Sequence, residues 1–133
     1  MKKKGKYGML KNSYGKELIL DLHKCNPQKF NRKMIARYFR ELCDLIEMKR
    51  DEMHFWDDYG VPKAERVTLP HLVGTSAIQF IMTSNVTIHT LDILKQVYLN
   101  IFSCKEFDAK IAAEFSRKYF SGKIVTSKVI IRK

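Results

Sequence analysis

Residues 75–104 read TSAIQFIMTSNVTIHTLDILKQVYLNIFSC, and this stretch determines the fold that the rest of the chain completes. Three largely apolar blocks, at 75–82, 86–90 and 97–104, are separated by short connections. Apolar blocks of this length, rich in β-branched residues, indicate buried strands. A hairpin centred near Leu94 would place Cys104 opposite Ser84, where paired residues approach within about 5 Å. The stretch therefore predicts antiparallel strands that bring a serine and a cysteine together.

The flanking sequence supplies more strands and two helices. Alternating or apolar runs predict strands at 18–23, 53–56 and 124–131. Apolar residues spaced by three and four predict a helix from about Asn31, and Asp108 is a candidate cap for a second helix. The apolar face of this second helix is predicted to comprise Ile111, Ala112, Phe115 and Tyr119. Because strands and helices do not alternate regularly, we predict an α+β fold, a two-layer sandwich in which two helices pack on one face of a mostly antiparallel β-sheet.

The composition fits one domain. With 133 residues, 45% hydrophobic and 29% charged, the chain is long enough to bury a core and too short for two ordinary domains. We predict a basic, flexible N-terminal segment at 1–13 and a single domain at 14–133. The formal net charge of +11 raises nucleic acid as a partner. That partner is disfavoured because the lysines are scattered and no base-stacking motif accompanies them.

Several other classes are excluded by what the sequence lacks. No apolar run reaches the ~18 residues that a membrane span needs, and no apolar stretch follows the lysine-rich start as in a secretory signal. We therefore expect a cytoplasmic protein with no membrane partner. The three cysteines, Cys25, Cys43 and Cys104, are an odd number without Cys-x-x-Cys spacing. This pattern disfavours a disulfide framework and a metal site.

The segment from Met82 to Thr90, with Phe102-Ser103-Cys104 after it, resembles the self-processing site of the bacterial and archaeal S-adenosylmethionine decarboxylases. Those enzymes typically read Glu-Ser-His, an apolar residue, Ser-Ile-His-Thr-Trp-Pro-Glu, and later Phe-Ser/Thr-Cys. This chain keeps the serine as Ser84, the Ile-His-Thr around His89, and the cysteine as Cys104. The stretch after Tyr14 and His54-Phe55-Trp56 also resemble strands of the family. The resemblance thus extends from Tyr14 to the C-terminus.

This resemblance implies a cofactor made from the chain itself. Decarboxylating an α-amino acid leaves a carbanion, and a ketone can accept its electrons through a Schiff base with the substrate amine. In the family the ketone is a pyruvoyl group, formed when the chain cuts itself before a serine. Carried over, the cut falls between Thr83 and Ser84, and the pyruvoyl group derives from Ser84.

The resemblance also implies roles for other residues. His89 would be the processing base, and an imidazole titrating near neutral pH suits that role. Ser76 would assist processing, and Cys104 would be the proton donor in decarboxylation. The family further implies two helices on a four-stranded sheet and a homodimer whose protomers share active sites. Along a straight strand His89 would lie about 16 Å from Ser84, so we expect a bend or bulge if one chain supplies both.

Departures from the family pattern bear on cleavage and substrate. The residues flanking the serine are Thr83 and Asn85 instead of Glu and His. Ile93 replaces the glutamate that binds the ribose of S-adenosylmethionine, and an isoleucine cannot accept a hydrogen bond. We therefore slightly prefer L-ornithine or L-arginine as the substrate, and S-adenosylmethionine is nearly as good a candidate. A distal substrate cation would need a carboxylate, for which the candidates are Asp92, Asp57, Asp58 and Glu52.

A second class of function stays open at this stage. The chain could be a catalytically inactive homologue that keeps the fold and uses its basic surface to bind nucleic acid or an acidic partner. The active enzyme would act on a small amino acid in polyamine biosynthesis. Self-cleavage separates the two classes, because only the enzyme needs a cut chain.

Overall fold

The computed structural model describes residues 13–133, so the predicted basic segment lies outside the described residues except for Ser13. The strands and helices follow one another as β1 (Gly15–His23), α1 (Arg32–Leu45), β2 (Arg50–Trp56), β3 (Gly74–Ile81), β4 (Ser84–Leu91), β5 (Gln96–Ser103), α2 (Ala109–Phe120) and β6 (Lys123–Arg132). Short 3-10 turns occupy Pro27–Lys29 and Lys63–Glu65.

The sheet has six strands in the order β2-β3-β4-β5-β1-β6, and all neighbouring pairs are antiparallel. The predicted α+β sandwich with a mostly antiparallel sheet is confirmed. The six strands predicted from the apolar runs are all present. The four-stranded sheet that the family resemblance implied is smaller than the observed one, because β2 and β6 pair along the two edges. β3, β4 and β5 form a meander, whereas β1 lies between β5 and β6.

Side-chain caps begin both helices. The Asn31 side chain accepts a hydrogen bond from the Met34 N–H at 2.9 Å, and Asp108 accepts one from the Ile111 N–H at 3.0 Å. An N-terminal cap of this kind satisfies a backbone N–H that has no partner within the helix. The predicted cap at Asp108 is therefore confirmed.

The apolar face of α2 agrees with the prediction except at Ile111, since Ala112 is buried and Phe115 and Tyr119 pack partly buried against the core. The buried residues of this helix are Ala112, Ala113, Ser116 and Phe120, whereas Ile111 is half exposed. The prediction overlooked Ser116, a polar residue that is buried because its hydroxyl lies 2.6 Å from the Tyr38 hydroxyl and bonds the Ala112 carbonyl at 2.8 Å. With these partners a serine can be buried without leaving an unpaired hydroxyl.

One face of the sheet packs on the helices and the other is open. The covered face contributes leucine, valine and isoleucine side chains to the core, including Leu20, Ile88 and Leu99, each at most 1% exposed. Strand alternation places their neighbours on the opposite face. There Trp56 is 83% exposed and Phe80 41%. We call this surface the open face. None of the helices in the described part of the chain is long and apolar enough to cross a membrane.

Candidate active site

Ser84 begins β4, immediately after the two residues that connect it to β3, and its side chain is buried. Its Oγ accepts a hydrogen bond from the Cys104 N–H at 3.1 Å and lies 3.9 Å from Cys104 Sγ. The expected register was one residue out of step, because the β4–β5 pairing aligns Asn85 with Phe102. Cys104 follows the end of β5 and still reaches Ser84. The predicted proximity of the serine and the cysteine is therefore present.

Thr83 completes this cluster on the other side of the expected cleavage point. Its Oγ1 lies 2.9 Å from Cys104 Sγ and donates to the Met82 carbonyl at 2.7 Å. The backbone of Thr83 has φ +57°, in the left-handed region that side chains with a Cβ disfavour. The two residues that would be separated by cleavage thus both contact the same cysteine.

Sequence reasoning missed Tyr14 as a neighbour of the site. A hydrogen bond with the Cys104 side chain raises the pKa of the Tyr14 hydroxyl. The backbone comes this close because the next residue is Gly15, where a Cβ would lie 2.2 Å from the Ser103 oxygen and 2.7 Å from Cys104 Cα. The glycine before the first predicted strand was the signal that could have indicated such a close approach.

Ser76 and His89 form a second cluster. They are paired across β3 and β4, and Ser76 Oγ lies 2.8 Å from His89 Nδ1. Both side chains lie on the open face, whereas Ser84 shares the covered face with Ile88. β4 pairs without a break with β3 from Ser84 to Leu91 and with β5 from Asn85 to Leu91. The bend that would bring His89 to Ser84 within one chain is therefore absent.

A cavity of about 550 Å³ adjoins the Ser76–His89 pair. Its walls include the aromatic side chains of Trp56 and Tyr98 and residues of the loop between β2 and β3. This loop connects the strands that the sequence predicted at 53–56 and 75–82. The arrangement gives the pair a concave, partly apolar surface of the size that small-molecule sites commonly have.

Of the acidic candidates, Asp57 is already paired. Both of its oxygens accept hydrogen bonds from the Arg32 guanidinium, at 2.7 and 2.8 Å, and this contact holds the pKa of the Asp57 carboxyl below its usual range. The guanidinium also faces the rings of Phe55 and Tyr59. Asp57 therefore ties the loop to the start of α1, and its charge is compensated within the chain.

The other three acidic candidates differ in position. Asp58 lines the cavity while its Oδ2 accepts the Val67 N–H at 2.9 Å. Asp92 lies in an adjoining cavity that also borders Asp58, and burial raises the pKa of the Asp92 carboxyl, with the nearby Asp57 charge adding to the effect. Glu52 is largely exposed beside His54 and lines neither cavity. The geometry thus brings Asp57, Asp58 and Asp92 together and leaves Glu52 apart.

Two of the three cysteines lie away from the Ser84 cluster. All three cysteines are free and buried. Burial raises the pKa of the Cys25 thiol to about 11 and that of the Cys43 thiol to about 12, so both remain protonated at neutral pH. Within residues 13–133, no group of three His, Cys, Asp or Glu is placed to hold a metal ion.

Comparison with known proteins identifies a family and a similar solved structure. A family described as S-adenosylmethionine decarboxylase matches residues 16–133 of the chain. The structure is similar to the crystal structure of the adenosylmethionine decarboxylase from Aquifex aeolicus VF5, with a TM-score of 0.71, 14% sequence identity, and 90% of this chain and 91% of that chain covered. No curated protein gives a significant sequence match. The structural likeness at this identity concerns the fold, and the family match extends over most of the sequence.

Proposed function

The chain belongs to the S-adenosylmethionine decarboxylase family, and from this premise we propose that it is a self-cleaving, pyruvoyl-dependent amino acid decarboxylase of polyamine biosynthesis. The proposal keeps the cytoplasmic location expected from the sequence. One observation carries the assignment of the cleavage point. The buried Ser84 hydroxyl, next in sequence to the Thr83 carbonyl, is held by the Cys104 N–H at 3.1 Å.

The residues around Ser84 fit the formation of a pyruvoyl group. The Cys104 N–H occupies one lone pair of Ser84 Oγ, which orients the hydroxyl, and burial keeps bulk water away from it. Attack of Oγ on the Thr83 carbonyl carbon would convert the peptide bond to an ester. Removal of the Ser84 Cα proton would then expel the Thr83 carboxylate and leave a dehydroalanine at position 84, and its imine form would take up one water molecule and release ammonia to give the pyruvoyl group. The pyruvoyl group then supplies the electron sink for decarboxylation. Cys104 Sγ lies beside position 84 and is suited to deliver a proton there.

We propose that the active form is a homodimer in which a second copy supplies Ser76 and His89. These two residues bond each other on the open face, while Ser84 lies on the covered face of the same strand. The open face also exposes Trp56 and Phe80, and exposed apolar surface of this kind is typical of interaction sites. A partner protomer can therefore complete a site that one chain leaves divided.

For the substrate we propose a small α-amino acid with a distal cation, L-ornithine or L-arginine, and S-adenosylmethionine as the nearest competitor. The cavity beside Ser76 and His89 has aromatic walls and the Asp58 carboxylate, both of which favour a cation. Because Asp57 is paired with Arg32, Asp58 and Asp92 are the better candidates to meet the distal charge. Ile93 is exposed in the β4–β5 connection and offers no acceptor to a ribose.

Intact mass of the purified chain tests cleavage. We expect two fragments, 1–83 and 84–133, with a pyruvoyl group at the head of the second. Ser84→Ala should stay a single chain without activity, whereas Ser127→Ala on the exposed edge strand should be cut normally. A wild-type chain that remains whole after prolonged incubation would contradict the proposal and favour a non-enzymatic relative.

Carbon dioxide release from L-ornithine, L-arginine and S-adenosylmethionine, measured side by side on cut protein, tests the substrate. Asp58→Asn keeps an oxygen acceptor for the Val67 N–H but removes the charge, so it should raise KM for the basic amino acids. Asp44→Asn on the exposed side of α1 is the matched control. Activity on S-adenosylmethionine alone would refute the substrate preference and leave the cleavage proposal intact.

A further inference from the structure

The connection between β3 and β4 contains an unusual backbone conformation. Five non-glycine residues in the described part of the chain have positive φ, and they are Lys24, Glu47, Thr83, Lys95 and Ser121. Thr83 alone among them is β-branched, and left-handed backbone is least compatible with a branched side chain. This residue is also the one whose carbonyl forms the expected scissile bond. The strain therefore lies at the bond that would break.

The surrounding contacts prevent this turn from relaxing. On one side Ile81 pairs with Ser84 across the turn, and the Met82 N–H bonds the Lys49 carbonyl at 3.0 Å. On the other side, Thr83 Oγ1 lies 2.9 Å from Cys104 Sγ. The turn is thus fixed by one contact just before β2 and another just after β5. The left-handed conformation of Thr83 therefore persists while the chain is uncut.

We propose that Thr83 is a positioning residue for chain cleavage, and that the strained turn it forms against Cys104 accelerates the break between Thr83 and Ser84. This inference rests on the proposed function. In the step concerned, a bond forms between Ser84 Oγ and the Thr83 carbonyl carbon while the bond from that carbon to the Ser84 nitrogen breaks. The hydroxyl proton passes to the nitrogen, so no oxidant or reductant is needed.

The strain acts through the ground state. A left-handed Thr83 raises the free energy of the uncut chain, and the constraint disappears once the Thr83–Ser84 peptide no longer closes the turn. Energy that is present before the reaction and released along it lowers the barrier. A chain with a residue at position 83 that accepts positive φ without strain should therefore be cut more slowly, although its uncut form is at least as stable as the wild type.

The deciding experiment compares Thr83→Gly with Lys95→Gly. Lys95 has φ +56°, almost the same as Thr83, but lies in the β4–β5 connection away from Ser84. The rate of fragment formation is followed by intact mass, and the unfolding temperature is measured in a Ser84→Ala background that stays uncut. Thr83→Gly should be cut about tenfold more slowly, equivalent to about 1.4 kcal/mol of barrier, with no loss of stability. Lys95→Gly should be cut at the wild-type rate.

Thr83→Ser provides the conservative rescue, because it keeps both a Cβ and the hydroxyl that faces Cys104. Its cleavage rate should lie between those of the wild type and Thr83→Gly, because serine keeps a Cβ in the left-handed region but loses the branch. The inference is overturned if Thr83→Gly is cut as fast as the wild type, or if Thr83→Ser slows as much as Thr83→Gly. A wild-type chain that never cuts would instead refute the proposed function itself, so the two failures are distinguishable.

Discussion

The proposed homodimer, in which each protomer holds half of a divided site, predicts that two inactive variants restore one another when they are produced together. The variants are Ser84→Ala and His89→Ala. The two residues are five positions apart on an unbroken strand, which corresponds to about 16 Å at ~3.3 Å per residue, and their side chains point to opposite faces. No side-chain rotation spans that distance, so in the proposed homodimer His89 of one copy acts on Ser84 of the other.

The expected extent of rescue follows from the symmetry of a dimer. Random pairing of equal amounts of the two variants gives about half mixed dimers. Each mixed dimer contains one site with both Ser84 and His89 and one site with neither. About a quarter of all sites, half of those in the mixed dimers, should therefore be complete. The cut chains should all be the His89→Ala variant, because only that variant retains the serine.

Different affinity tags on the two variants make the outcome measurable. Capture through one tag shows that mixed dimers exist, and intact mass shows which chain has been cut. Each variant produced alone serves as the baseline and should remain whole. If mixed dimers are captured and the His89→Ala chain is still uncut, the divided site is refuted; cleavage of His89→Ala alone would equally exclude His89 as the processing base.

Three further perturbations test the surrounding structure. Because Arg32 lowers the pKa of Asp57, the ion pair stabilises the fold above the ordinary carboxyl range, and its contribution is lost as pH falls through the lowered value. Asp57→Asn should therefore reduce the unfolding temperature at pH 7, and thermal melts should show this difference shrinking as pH falls below the ordinary carboxyl range. Cys104→Ala should lower the turnover of cut protein by at least about a hundredfold, measured as carbon dioxide release. Gly15→Ala should cost about 1–3 kcal/mol in denaturant unfolding, because the added Cβ meets the Ser103 oxygen at 2.2 Å.

Local sequence signals predicted the elements of this fold well. The apolar blocks of residues 75–104 correspond to β3, β4 and β5, and Asp108 caps α2 as its residue type and position indicated. Both kinds of signal act within a few residues, since strand alternation and helix capping depend on near neighbours. The α+β class followed from the order of these elements.

Features that depend on distant contacts were not predictable. Arg32 and Asp57 are 25 residues apart, and nothing around either residue indicates their pairing. The burial of Ser116 on α2 was missed because the hydrogen bond that allows it comes from Tyr38, on the other helix. The hairpin register depended on where the β4–β5 connection turns, with Lys95 in the left-handed region. Tertiary packing decides each of these points, and apolar periodicity does not encode it.

If the chain is cut as proposed, the strand order keeps its two fragments together. A break between Thr83 and Ser84 leaves β1, β2 and β3 in one fragment and β4, β5 and β6 in the other. Because β1 lies between β5 and β6, and β3 pairs with β4, the two fragments are interleaved through three strand ladders. Neither fragment can dissociate without breaking the backbone hydrogen bonds of these central strands. The mature protein would therefore be a noncovalent complex that behaves as one body in solution, but once unfolded it would have to reassemble from two chains at a concentration-dependent rate.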